Sequence, residues 1–492
     1  MLGLRTLIFD SRRAMHSTVP SILAGTGFEL DFEPEWYKPE LIKAAIQANQ
    51  IKEADIDALL RPRYALMFAY GHFDEAYDSF LPKDLDAHAR IGRSAAEGSI
   101  VLLKNDGLLP LNANVRSIAL IGASWFAGQA TMPPRNSARD EMTNVVAPYT
   151  ITPQQGLERT LKKLGSNASV IYSDGDSLAD AERVARSADI AIVMVGDNPR
   201  ETLDKTTLSL PSIQGTNQEL LVPRVLAANP NTVVVLKTEG SVLMPWLAQA
   251  RALIEAWYPG QDDGDVVADA LFGVTNPSGK LPVTFGNDAN EAAYETAAQY
   301  PGTREENGLG GVGFDPEPGP QLIANYSENL LLGYRWYEAR NVKPVFPFGF
   351  GLSYTTFSYS GLELNTTSNA KGQPVLSVSY TITNTGTRAG KEASQVYLTL
   401  PPQSGEPFKR LVGFAKVDLA PGSSQRVRVN IDCAASNHPF SYFTPADESD
   451  LSAWANGNWT TPSGQFTVSV GTSSAETPLR NTASLNLASC PT

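Results

Sequence analysis

Between residues 92 and 285 short apolar runs recur with a helix-like stretch between many of them. The runs are SIALIG, SVIYSDG, DIAIVMVG, TVVVLKTEG and ALIEAWYPG; DAERVARSA and NQELLVPRVLAAN are two of the intervening stretches. Continuous Val/Ile/Leu runs alternating with helices predict a parallel sheet covered on both faces, an αβα sandwich over 91–285. Such sheets hold ligands in the loops at their strand C-termini, which directs attention to the loop after DIAIVMVG. From about 375 the period changes to two. VLSVSYTITNTG puts Leu376, Val378, Tyr380 and Ile382 on one face, and QVYLTL, RVRVNI and QFTVSVG repeat the alternation. That predicts a β-sandwich over 373–492. The stretch 286–372, centred on GTREENGLGGVGFDPEPGP, reads as a loop-rich connection. At the start, LRTLIF reads as one strand followed by helices. Leu41, Ile42, Ala45 and Ile46 share a face of PELIKAAIQAN, and EADIDALLRPRYALMFAYGHFD reads as helix interrupted at Pro62.

A chain of 492 residues exceeds one ordinary core and implies several domains. Apolar residues at 42% and charged residues at 18% are a globular composition. The net charge of −13 argues against general affinity for nucleic acid or anionic membrane, since both need basic surface, and suits a neutral substrate. No run reads as a membrane-spanning helix. Arg5 and Asp10 interrupt what would be the apolar segment of a leader, so the N-terminus by itself predicts an intracellular chain. Four glycosylation sequons, at Asn167, Asn325, Asn365 and Asn458, point the other way. Cys433 and Cys490 are the only cysteines, and the sequence leaves open one disulfide or two buried thiols. Two cysteines and four scattered histidines give no metal-ligand spacing, so neither structural zinc nor any cofactor is expected.

Long segments resemble family 3 glycoside hydrolases of the β-glucosidase type. AAEGSIVLLKNDGLLPL (95–111) is similar to the entry into that family's second domain. WYPGQDDGDVVADALFGVTNPSGKLPVTF (257–285) is similar to its sheet-ending signature. GYRWYEARNVKPVFPFGFGLSYTTF (333–357) and KRLVGFAKVDLAPGSSQRVRV (409–429) resemble the approach to, and the body of, its fibronectin-III-like domain. The resemblance implies three parts: a (β/α)₈ barrel, an α/β sandwich and the fibronectin-like domain. LGLRTLIFDSRRAMHSTVPSILAG resembles the late barrel strand that carries the nucleophile, so residues 1–90 are expected to be a barrel remnant and the least stable part of the chain. The resemblance also implies a secreted protein acting on a small β-glucoside or oligosaccharide.

Retaining hydrolysis needs two carboxyls about 5–5.5 Å apart, one ionised and one holding a proton. In the family the nucleophile sits in a Ser-Asp-Trp motif. Alignment on HST at 16–18 sets Asp10-Ser11-Arg12 on it, so Ser11 takes the nucleophile position and the carboxylate comes one residue early. Asp10 is the nucleophile candidate; its simpler reading is a capping carboxylate at a strand end. Arg12 replaces an aromatic wall, and His16 follows in the same loop, which makes both candidates for substrate contact. The acid/base candidate is Glu201 in DNPRETLDKTTLSLP, three residues before Asp204-Lys205, where the family has Asp-Arg; its simpler reading is a surface glutamate. Gly122 and Gly128 lack dinucleotide-loop spacing, and Trp336 and Tyr337 read as core anchors more readily than as sugar platforms. Two functions follow: a β-glucosidase-like retaining hydrolase of terminal β-D-glucosyl residues, or a truncated, inactive relative that binds glycan or another protein.

Overall fold

The computed structural model describes residues 9–11, 15, 17–30, 34–74, 84–127, 147–197, 205, 207–287, 296–300, 302–304, 322–406, 408–446, 457–487 and 490. They divide into two compact units, residues 1–85 with 304–323, and residues 86–303 with 324–492.

In the first unit β1 (Phe9–Ser11) pairs in parallel with β2 (Phe28–Leu30), with Asp10 opposite Glu29. The second strand was not expected. Helices α1 (Val19–Ala24), α2 (Pro39–Gln47) and α3 (Glu53–Ala69) follow. Ile22, Ala45 and Ile51 form a small buried cluster, with Ile42 and Ile46 packed against it as the helical period requires. The expected break at Pro62 does not occur. Helix α3 runs through it, because one missing N–H in 17 residues is a loss that the flanking turns tolerate.

The second unit begins with α4 (Leu85–Ser99) and holds a six-stranded sheet. Its strands are β3 (Val101–Asn105), β4 (Ser117–Ile121), β5 (Ser169–Ser173), β6 (Ile190–Gly196), β7 (Thr232–Lys237) and β8 (Ala252–Glu255), in the order β3-β8-β7-β6-β4-β5. The five strands read from the apolar runs are all parallel. The sheet as a whole is mixed, because β3 pairs antiparallel with β8. Every residue of β6, β7 and β8 is buried. Ile190, Ile192 and Met194 face one helical layer and Ala191, Val193 and Val195 the other. The first layer is α5 (Pro153–Lys163) and α8 (Asp263–Leu271); the second is α6 (Leu178–Ser187) and α7 (Gln218–Ala228). Helices α5 and α8 cross at glycines: a Cβ on Gly156 would lie 2.0 Å from the Gly264 carbonyl. Gly122 ends β4 where a Cβ would meet the Met194 carbonyl, so this glycine serves strand packing. Gly128 lies outside the described residues.

The sandwich domain differs from expectation at its start. Its first strand, β9 (Phe357–Ser368), and the helix α9 (Tyr334–Arg340) both fall inside the stretch read as connecting loop. A register shift between Ser360 and Glu363, around Gly361, breaks the alternation that would have revealed β9. Three strands, β9, β10 (Pro374–Asn384) and β13 (Ser424–Asp432), form one sheet in the order β9-β10-β13. The second is β12-β11-β14-β15, built from β11 (Gly390–Thr399), β12 (Lys409–Leu419), β14 (Gln465–Gly471) and β15 (Leu479–Ser484). Leu376, Val378, Tyr380 and Ile382 fill the core between the sheets. Cys433 and Cys490 form a disulfide. Trp336 and Tyr337 are buried with Leu331 and Val342 packed against them, as core anchors.

Two buried ionisable groups shape the C-terminal edge of the α/β sheet. Lys237, at the end of β7 and 1% exposed, donates to Asp263 Oδ2 at 2.5 Å and to the Phe126 carbonyl at 2.8 Å. The pair ties β7 to the start of α8. Glu255, at the end of β8, is fully buried, and burial pushes its carboxyl up to about 8, with Asp197 adding to the rise. It is therefore neutral at pH 7. Its Oε2 lies 2.8 Å from the Thr238 hydroxyl, which also lies 2.9 Å from the Gly240 carbonyl. A threonine hydroxyl has one proton, so the protonated Glu255 donates to Thr238 and Thr238 donates to Gly240. The other carboxyl oxygen accepts the Trp257 N–H at 2.8 Å.

Asp263→Ala leaves the Lys237 ammonium buried without its carboxylate, and a loss of about 3–5 kcal/mol is expected in urea unfolding. Replacing both partners with Leu and Met should recover most of that loss. For Glu255 the sign follows from proton counting. The unfolded carboxyl releases its proton near 4.5 and the native one near 8, so in that window the native state holds more protons and stability falls as pH rises. Glu255→Gln is neutral throughout. The variant should gain on the parent from pH 5 to pH 8, by up to about 1.4 kcal/mol per pH unit, in unfolding curves across that range.

Candidate active site

Asp10 and Ser11 lie on β1 in the first unit. Arg12, His16 and Glu201 lie outside the described residues, as do 198–204 generally. The stretch that carries Glu201 leaves from Asp197, directly after β6, and returns at Lys205. It springs from the C-terminal edge of the parallel strands, where the sequence directed attention.

A polar cluster is built at that edge from the residues that end three adjacent strands. Asp197 follows β6, Thr238 and Glu239 follow β7, and Glu255 closes β8 with Trp257 and Tyr258 just beyond. Asp197 is 3% exposed, yet its carboxylate is fully engaged. Oδ1 accepts the Tyr258 hydroxyl and, at 3.1 Å, the Glu239 N–H. Oδ2 accepts the Lys205 ammonium at 2.5 Å. Lys205 Nζ also reaches Glu239 Oε1 at 3.1 Å, and its carbonyl accepts the Tyr300 hydroxyl at 3.0 Å. Burial works to lower the Lys205 ammonium, but its hydrogen bonds and charge contacts with Asp197 and Glu239 outweigh that and hold it above its ordinary value. Burial and the neighbouring Asp197 push the Tyr258 hydroxyl far up, so it stays a donor. Trp257 sits at φ 57°, a left-handed conformation that costs a bulky residue energy. Its N–H bond to Glu255 and its indole bond to the Ser99 carbonyl, at 3.1 Å, hold it there.

The cluster supplies fixed charge and donors around the base of the 198–204 stretch, and it contains one carboxyl kept neutral at pH 7. Sequence reasoning missed Asp197, Glu239, Glu255 and Tyr258 as site residues. The signal that finds them is positional: each stands at the C-terminal end of, or just past, a buried parallel strand. Among the described residues no group of three or more His, Cys, Asp or Glu is placed to hold a metal ion, and no helix is long and apolar enough to cross a membrane.

Residues 100–354 match the glycosyl hydrolase family 3 C-terminal domain, and residues 392–474 match a fibronectin type III-like domain. A thermostable beta-glucosidase B of Acetivibrio thermocellus is 32% identical over 82% of this chain, which spans 49% of that relative. Beta-glucosidase cel3A of Pyricularia oryzae is 30% identical over 97% of this chain and 66% of its own length. The chain thus spans about half to two thirds of the length of these two relatives. The crystal structure of a beta-D-glucoside glucohydrolase from Trichoderma reesei superposes with a TM-score of 0.80 at 27% identity, covering 98% of this chain and 68% of that one. DesR, a beta-glucosidase from Streptomyces venezuelae solved in complex with D-glucose, gives a TM-score of 0.79 at 26% identity, covering 98% of this chain and 72% of its own. On the family match across half its length and these relatives, the chain belongs to glycosyl hydrolase family 3.

Proposed function

We propose that the protein hydrolyses terminal, non-reducing β-D-glucosyl residues with retention of configuration, in the breakdown of small β-glucosides and oligosaccharides. The observation that carries this reading is the family match over the domain from whose sheet edge the Glu201 stretch springs. In this reading Asp10 attacks the anomeric carbon as its bond to the leaving oxygen breaks, and Glu201 gives that oxygen a proton. Glu201 then takes a proton from the water that releases the sugar from Asp10. Arg12 and His16 face the sugar, and no cofactor takes part. The displacement of the carboxylate from position 11 to position 10 favours the second reading, a relative that binds glycan or a protein partner without turnover.

The same reading places the protein outside the cell as a glycoprotein. It is supported by the Cys433–Cys490 disulfide, which suits an oxidising compartment, and by the exposure of all four sequon residues, Asn167, Asn325, Asn365 and Asn458.

Glu201→Gln should slow hydrolysis of cellobiose, whose leaving group needs a proton, by roughly 10²–10⁴-fold, and p-nitrophenyl β-glucoside far less. Asp10→Asn should abolish both. Steady-state kinetics on the two substrates check this, and turnover that survives Asp10→Asn removes Asp10 from the mechanism. Binding of glucose without turnover of either substrate would favour the second reading. Treatment of protein isolated from its source with an N-glycan-releasing amidase should lower its mass and leave aspartate at the sequon positions.

A further inference from the structure

We propose that the cleft between helix α4 and the start of strand β11 is a second sugar site, taking one neutral, polyhydroxylated ring. None of its residues belongs to the cluster at the strand ends. The proposal goes beyond the hydrolase reading and does not depend on it.

The cleft has one wall from the α/β domain and one from the sandwich. Ser94, Glu97 and Gly98 share a face of α4, and Val274, Thr275 and Ser278 come from the segment after α8. Lys391 of β11 and Asp418 of β12 stand on the other side. The space is about 260 Å³, short of the roughly 300 Å³ at which sites for drug-sized ligands begin, and so suits a single ring. The two walls are tied together. Asn276 Nδ2 donates to the Ala389 carbonyl at 2.9 Å, while its Oδ1 accepts the Tyr354 N–H at 2.8 Å. Lys416 of β12 donates to the Gly98 carbonyl at 3.0 Å, and Lys280 pairs with Glu392 of β11 at 3.2 Å. A cleft held in this way is formed before its ligand arrives, so binding costs little further ordering.

Its polar groups are left over from folding. Ser278 is 5% exposed, yet its hydroxyl makes no hydrogen bond to the protein. A buried hydroxyl without a partner is costly until a ligand or water meets it. The hydroxyls of Ser94 and Thr275 have no protein partner either. Glu97 accepts from Arg93 through Oε1 at 2.8 Å, and its other oxygen makes no hydrogen bond. Lys391 and Asp418 stand directly opposite on β11 and β12, so their side chains leave the sheet on one face. No ion pair joins them to each other or to another described residue. This mix decides what fits. The two carboxylates repel an anion, and the ammonium repels a cation. Among the described residues no three carboxyl, imidazole or thiol groups are placed to hold a metal ion. An apolar ligand would bury the hydroxyls unpaired. A neutral ring bearing adjacent hydroxyls answers every group: its O–H groups donate to the carboxylates, and its oxygens accept from Lys391 and the serine and threonine hydroxyls. Val274, 41% exposed, offers an apolar side chain to the C–H face of the ring.

The probe is glucose, titrated into the full chain and mapped by hydrogen exchange. It should slow exchange in peptides covering 274–279 and 389–391. The glucose concentration giving half of that protection should rise roughly 3–10-fold in Ser278→Ala and roughly 10-fold in Asp418→Ala. The urea midpoint of Ser278→Ala should equal or exceed that of the parent, because the hydroxyl removed has no protein partner. A lower midpoint would show that the hydroxyl serves the fold and would overturn its assignment to a ligand. Absence of protection at both segments in saturating glucose overturns the site, as does protection that neither substitution changes. Protection by glycine or by calcium chloride, with none by glucose, overturns the sugar assignment in favour of a zwitterion or a cation. Failure of the parent chain to hydrolyse cellobiose or p-nitrophenyl β-glucoside would sink the hydrolase reading and leave these outcomes as they stand.

Discussion

Burial of the α/β sheet on both faces governs the rest of the second unit. Strands β6, β7 and β8 expose no residue, so their sequences admit almost nothing but aliphatic side chains until the strands end. Polar chemistry can enter only at the ends. It does so within one or two residues: Asp197 follows Gly196, Lys237 closes β7 with Glu239 two residues on, and Glu255 closes β8. These groups then stand within reach of one another because hydrogen-bonded neighbouring strands lie about 4.8 Å apart. The cluster is a geometric result of strands that end together, and its charges are satisfied by one another because little water reaches them.

The cost of burying those charges is met in two ways. Lys237 and Asp263 neutralise each other across the junction of a strand and a helix. Glu255 has no cation beside it among the described residues and stays protonated, which converts a buried carboxylate into a hydrogen-bond donor in a short relay through Thr238 to Gly240. The same physics joins this domain to the sandwich. Lys280 donates to the Gly351 carbonyl at 2.8 Å and pairs with Glu392 of β11 at 3.2 Å, while Gln395 of β11 donates to the Gly349 carbonyl at 2.9 Å. The linker at 349–352 is thus gripped from both domains, and Leu352 adds a backbone bridge to Leu102 of β3.

What the sequence disclosed follows from how locally each feature is encoded. The five parallel strands were legible because full burial writes itself as an unbroken aliphatic run. Core positions 376, 378, 380 and 382 were legible because one buried face writes itself as alternation. Strand β3 escaped notice because VLLKN sits directly behind helix α4 and its direction depends on a partner about 150 residues away. Strand β9 was hidden by its bulge, and β2 by its three-residue length. In the site, position 201 could be reached only through family resemblance. Lys205 was noted only as half of a motif, since nothing local reveals that its ammonium returns to Asp197. The first strand reads as LRTLIF with Asp10 at its end, whereas β1 covers Phe9–Ser11 and carries both Asp10 and Ser11; register alone does not assign chemistry to these adjacent residues.

The Cys433–Cys490 bridge has a mechanical meaning. Cys433 stands one residue beyond β13, in the three-stranded sheet, whereas Cys490 follows β15, at the edge of the four-stranded one. Tension applied at residue 490 therefore passes through sulfur into β13 and does not peel β15 from β14 one hydrogen bond at a time. The bridge thus shares a load applied at this end between the two sheets of the sandwich.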